Sequence, residues 1–238
     1  MTALLYPVLG LGVLALVASC AGPAGRDALG HRPGPRGFNT VIIDAGHGGH
    51  DRGAASKATG QLEKDLTLDM AKRIRSQLGG SFRTILMRSD DTFVDLDERV
   101  VRANRYRDAV LVSMHFNSGR GQMRGPETYY WRVDSHGLAV RLQRAMTQVS
   151  PQEKANRGLV RRRLRLTRNP FIPCVLIEGG YLSQPAEARL IGQPGYRQRL
   201  AAAIAAAIRT QAALGDAGTG PLPPPLSAPP SRASDRRE

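Results

Sequence analysis

"TVIIDAGHGGHD", residues 40–51, is the stretch on which the reading of this chain turns. Its first half is a β-branched apolar run, the composition of a strand buried on both faces. The run ends in an acid, Asp44, and then in Gly46-His47-Gly48-Gly49, where an imidazole is offered from backbone that bends sharply. A buried strand that stops at a reactive side chain predicts an α/β sheet with its ligand beyond the strand's carboxyl end.

The pattern outward from this stretch agrees. "EKDLTLDMAKRIRSQL" sets Leu66, Met70, Ile74 and Leu78 on one stripe and predicts a helix beginning near Glu63. "RTILMR" and "AVLVSMH" read as strands with the helix "LDERVVRANRY" between them, and the second of these strands closes at His115. "ETYYW" reads as a strand, "SHGLAVRLQRAMTQV" as a helix, "CVLIEGG" as a buried strand reaching Glu178, and "YRQRLAAAIAAAIRTQAAL" as a closing helix. This alternation predicts one α/β domain over residues 38–214, a twisted, mostly parallel (mixed) sheet with helices on both faces.

The ends read differently. Residues 3–19 are apolar or small and stop at Cys20, too short a run for a membrane span and suited to a signal peptide. "VASC" resembles a lipobox, so residues 1–20 are expected to be a lipoprotein-type export signal, with periplasmic residence on an outer-membrane lipid anchor, although no Lys or Arg precedes the run. An ordinary signal peptide, or a slightly short uncleaved anchor, that happens to end in Cys is the alternative. Residues 21–37 are expected to form a Gly/Pro-rich linker and residues 215–238 a disordered Pro-rich tail. Cys174, left without a partner, is expected to be a buried strand residue. The formal charge of +14 favours a polyanionic partner. The absence of nucleic-acid motifs or of aromatics interleaved with the arginines argues against nucleic acid.

His47, His115 and Glu178 each stand at or just past the end of a strand, and Glu63 heads the first helix. Two imidazoles and a carboxylate make a mixed N/O set suited to catalytic zinc, with a further carboxylate as general base. Taken singly, each residue is better explained by its turn, its helix end or a solvent-facing strand end.

Five ordered blocks decide between these. "DAGHGGHDRGA", "EKDLTLDMAKRI", "TFVDLDERVVRAN", "SMHFNS" and "PCVLIEGGYLS" resemble the zinc-dependent N-acetylmuramoyl-L-alanine amidases, bacterial enzymes acting on peptidoglycan. The resemblance implies Zn²⁺ on His47, Glu63 and His115 and a catalytic Glu178. His50 falls at a variable position, and Arg52, Tyr181 and Gln184 depart from the family's usual Pro, Phe and Asn. Asp44 and Asn117 are expected to orient ligands or substrate, or only to fix their turns. Arg161, Arg163 and Arg165, on one face of an expected strand, are candidates for attracting wall carboxylates, or else a charged edge that discourages pairing. The interval from His115 to Glu178 leaves no room for the helical plug that blocks some relatives. A monomer is expected, with no activating partner identifiable. A wall-binding lipoprotein without catalysis and a zinc peptidase cutting within the stem peptide remain alternatives.

Overall fold

The computed structural model describes residues 30–120, 122–151 and 155–226; the expected signal segment, with Cys20, lies outside them. Six strands form one sheet: β1 Thr40–Ala45, β2 Arg83–Leu86, β3 Ala109–Asn117, β4 Glu127–Tyr130, β5 Gly158–Arg161 and β6 Cys174–Tyr181. Their order is β2-β1-β3-β6-β4-β5. The first four in that order run parallel, β4 is antiparallel to β6, and β5 is parallel to β4. The carboxyl ends of β1, β3 and β6 therefore lie side by side at one rim.

Among the described residues six α-helices accompany the sheet, besides a 3-10 turn at Val133–Ser135: α1 Glu63–Leu78, α2 Leu96–Ala103, α3 His136–Val149, α4 Arg165–Arg168, α5 Pro185–Ile191 and α6 Pro194–Leu214. The stripe Leu66, Met70, Ile74 and Leu78 of α1 is buried, as its spacing requires. It joins Leu138 and Leu142 of α3 and Leu200, Ile204 and Ile208 of α6 in the larger apolar cluster, against Val41, Ile43, Val112 and Ile177 of the sheet. A smaller cluster on the other face gathers Ile42, Leu111, Leu166, Ile172 and the free thiol Cys174.

Because side chains alternate along a strand, these two clusters sort the rim residues. Val41, Ile43 and Ala45 face the thick core; Asp44 does not. Val110, Val112, Met114 and Phe116 face it; Ser113 and His115 do not, and the same parity turns Glu178 away from Val175 and Ile177. The polar residues thus share the thinly covered face.

Two expectations are corrected. The arginine run does not continue as one strand: β5 ends at Arg161 and residues 165–168 form α4. β5 pairs only with the four-residue β4, so the ladder runs out. The turn that follows, with Thr167 Oγ1 donating to Arg162 O at 2.8 Å, lets Leu166 reach the smaller cluster. Residues 215–226 are also laid on the body instead of trailing from it. Asp216 Oδ2 accepts from Gly34 N at 2.7 Å, Arg141 donates to Gly215 O, Arg144 donates to Gly218 O, and Thr219 is buried. Arginines of α3 satisfy carbonyls that a Pro-rich chain cannot pair with itself.

Candidate active site

His47 is the one non-glycine with a left-handed backbone among the described residues, at φ 61°, followed by Gly48 at 129° and Gly49 at 60°. Such a conformation costs a β-substituted residue about 1–3 kcal/mol and persists only where the surroundings fix it. Here they do. Gly48 and Asp51 exchange backbone hydrogen bonds of 2.9 and 3.2 Å, and Arg99 Nη2 donates to His47 O at 2.8 Å. Arg88 donates to Ala45 O at 3.0 Å and to Gly46 O at 2.9 Å. The chain leaves β1 and turns its imidazole back over the strand ends.

Glu63 reaches the same place from α1. Carrying the buried stripe of Met70 and Leu66 back by one turn arrives at Glu63, which is buried although it is charged. Its Oε2 accepts from Ala54 N at 2.8 Å, while Oε1, which accepts from Phe116 N at 3.2 Å, faces the site. His47 Nε2 and His115 Nδ1 each lie 3.0 Å from that one oxygen. The three donor atoms fall within 4.8 Å of one another. Two ring nitrogens can crowd one carboxylate oxygen only with positive charge between them, whether protons or a cation. Glycines make the cradle: a Cβ on Gly46 would stand 2.2 Å from His115 Cε1, and one on Gly53 would stand 2.6 Å from both Glu63 Oε2 and His47 Cδ2.

The charges respond accordingly. Burial alone would raise the Glu63 carboxyl, but the two histidines outweigh it and hold it far below the usual carboxylate range. Burial opposes charge on His47, yet Glu63 and Asp51 raise it above the ordinary imidazole value. His47 Nδ1 lies 2.8 Å from Asp51 Oδ2. A carboxylate only accepts, so Nδ1 carries the proton and Nε2 is the atom aimed at the site.

Glu178 sits beside His115, its register partner across β3 and β6. Its Oε2 is buried with no hydrogen-bond partner, a costly condition for a charged carboxylate. Burial, followed by the nearby Glu63 and Glu127, pushes its affinity for a proton well above the usual carboxylate range. His47, Glu63, His115 and Glu178 all line one cavity of about 740 Å³. A site able to hold a metal and a buried carboxylate of raised proton affinity therefore share one chamber.

The remaining candidates separate. Asp44 is fully buried, bonded to Arg99 and, at 2.7 Å, to Ser113 Oγ, so it braces the strand ends. Asn117 donates to Glu127 Oε2 at 3.3 Å. Arg161 turns away to Trp131 O and Pro224 O, and Arg163 lies over the Trp131 ring. Arg165 is buried and bonded to Asp97, where it ties α4 to α2. None of these three arginines lines the cavity; Arg162, of opposite parity, does. Sequence reasoning missed Arg88, Arg99, Asp51 and Glu127. Only Asp51 had a legible signal, its place four residues after His47.

The family model described as N-acetylmuramoyl-L-alanine amidase matches residues 41–210. The chain belongs to that family. Among its relatives, the protein YqiI of Bacillus subtilis is 35% identical over 170 residues, 69% of this chain and 81% of that one. The N-acetylmuramoyl-L-alanine amidase LytC of the same organism is 34% identical over 172 residues, which cover 69% of this chain and only 34% of LytC. The crystal structure of an N-acetylmuramoyl-L-alanine amidase from Clostridium difficile 630 superposes with a TM-score of 0.69 at 33% identity, covering 74% of this chain and 97% of that one. What this amidase shares with these relatives is the folded body, including the strand ends that carry the polar rim.

Proposed function

We propose that this chain hydrolyses the amide between N-acetylmuramic acid and the L-alanine of the peptidoglycan stem peptide, with His47, Glu63 and His115 holding zinc and Glu178 moving the protons. The observation that carries the reading is the convergence of three donor atoms within 4.8 Å beside a buried carboxylate oxygen that has no partner. Two imidazole nitrogens and one carboxylate oxygen suit zinc and leave a position open. Bound there, zinc would supply a Lewis acid that activates water and polarises the scissile carbonyl.

The rest falls to the chain's own groups. Glu178 Oε2, raised in proton affinity, accepts the proton of the attacking water and returns it to the departing L-alanyl nitrogen, which leaves poorly unless protonated. Asp51 keeps the His47 ring in one tautomer. Asp44, Arg99 and Arg88 hold the strand ends from which both histidines project. Asn117 orients Glu127. The protein acts at the cell wall; export on the segment ending at Cys20, with lipidation there and outer-membrane retention, completes the proposal.

The test is metal content and release of wall fragments, measured side by side for the full chain and for Glu178→Ala. The expected result is about one zinc per chain in both, with intact stem peptides released by the parent alone. Release of shorter pieces would favour a peptidase. No metal and no cleavage would favour a wall-binding protein.

A further inference from the structure

We propose that Arg162 is the residue by which this site recognises a free carboxylate on the stem peptide just beyond the scissile bond. The proposal rests on the amidase reading above and names what selects its substrate.

Arg162 follows β5 with its N–H donating to Tyr130 O at 2.9 Å, which continues the strand parity by one step. That parity sets it on the same side as Tyr129, the register partner of Val160, and on the side of Glu178. Arg161 and Arg163, one residue to either side, face away from the cavity. The Arg162 side chain lines the cavity wall with Leu164 and Leu166, and its guanidinium lies over the Tyr129 ring, 5.9 Å from the centroid. Stacking on an aromatic face fixes the plane of a guanidinium while leaving its N–H edge free.

Arg162 is exposed at the edge of the cavity, and two features mark it as a receptor there. First, it is the uncommitted permanent cation of the cavity. The other lining arginine, Arg99, is consumed by Asp44 and the carbonyls of Ala45, His47 and Val94. No carboxylate pairs with Arg162 among the described residues. Second, its position is tied to the reaction centre through one short chain of contacts. Tyr129, beneath Arg162, donates from its hydroxyl to Glu127 Oε2 at 2.9 Å, and Glu127 is the register partner of Glu178. Burial, with Glu127 beside it, pushes the Tyr129 hydroxyl up to about 12, so it remains a donor and the stack keeps its geometry. One tyrosine therefore separates the guanidinium from Glu127, the neighbour of Glu178. Asp51 and Asp95 also line the cavity and would repel a peptide carboxylate from their side of it, which leaves this arginine as the place to hold one.

The experiment uses two soluble fragments, each an N-acetylmuramoyl group on L-alanyl-D-glutamate. In one, the α-carboxylate of the second residue is free; in the other, it is an amide. The full-length zinc-loaded protein, Arg162→Gln, Arg162→Lys and Arg163→Gln are compared by kcat and KM on both. The parent is expected to favour the free acid by about fivefold in kcat/KM, the scale of one charge pair at a water-lined wall, with the difference in KM. Arg162→Gln removes the preference, Arg162→Lys retains part of it, and Arg163→Gln keeps it. A parent indifferent to the two fragments, or an Arg163→Gln variant that loses the preference as fully as Arg162→Gln, overturns the assignment. Cleavage of neither fragment by any protein overturns the hydrolytic reading together with it, so the two failures are told apart.

Discussion

At the scale of single residues the site is a balance of charges, each identifiable by its removal. Glu178→Gln keeps the shape and removes the carboxylate proposed to accept the proton. Its kcat is expected to fall by about 10²–10⁴-fold while bound metal, measured on the same sample, is unchanged. Asp44 makes a different prediction because its role is bracing. Burial would raise its carboxyl, but Arg99 and Ser113 more than offset this and hold it below the ordinary value. A depressed native value means stability that is in place above the unfolded value and lost as pH falls through the native one. Thermal unfolding followed from pH 7 downward should lose stability below about pH 4, and Asp44→Asn should flatten part of that limb. Arg99→Met should be the more damaging change at pH 7, by about 3–5 kcal/mol in urea unfolding, since it strands a buried carboxylate.

At the scale of elements, the strand ends and the first helix turn act as one device. Gly46 shows how tightly they are fitted. Gly46→Ala places a methyl group where the His115 ring lies. The ring must move, and metal affinity in a competition titration is expected to fall by about 10–100-fold with little change in circular dichroism. These elements were legible because they obey simple periods. The β-branched runs became β1, β3 and β6, and the four-residue stripe became α1, and with them came the rim that carries His47, His115 and Glu63. What could not be read was pairing. The direction of β4 against β6 depends on contacts distant in sequence, and so does the early end of β5. The arginine run was therefore read as one strand with Arg161, Arg163 and Arg165 as the candidates for wall carboxylates, whereas the arginine that lines the cavity is Arg162. Arg88 and Arg99 were invisible for a related reason. An arginine that caps carbonyls across 40 or more positions looks, in sequence, like any solvated one.

At the scale of the whole molecule, binding energy at the rim is linked to folding. A metal that binds only the folded chain stabilises it by about 2.7 kcal/mol at a hundredfold excess over its dissociation constant. Chelation should therefore lower the melting temperature, and added zinc should restore it together with wall-fragment release. The two apolar clusters carry a further consequence. The larger one holds α1, α3 and α6 against one face, while the reactive groups look out over the smaller one. Ile204→Ala, deep in the larger cluster, should cost about 2–5 kcal/mol in unfolding and leave kcat intact at a temperature where the chain stays folded. Leu166→Ala, in the smaller cluster and on the cavity wall, should alter kcat/KM before it alters melting. Heat resistance and choice of substrate are thus written on opposite sides of one sheet. A lineage drifting toward a new wall chemistry can rewrite the second without renegotiating the first.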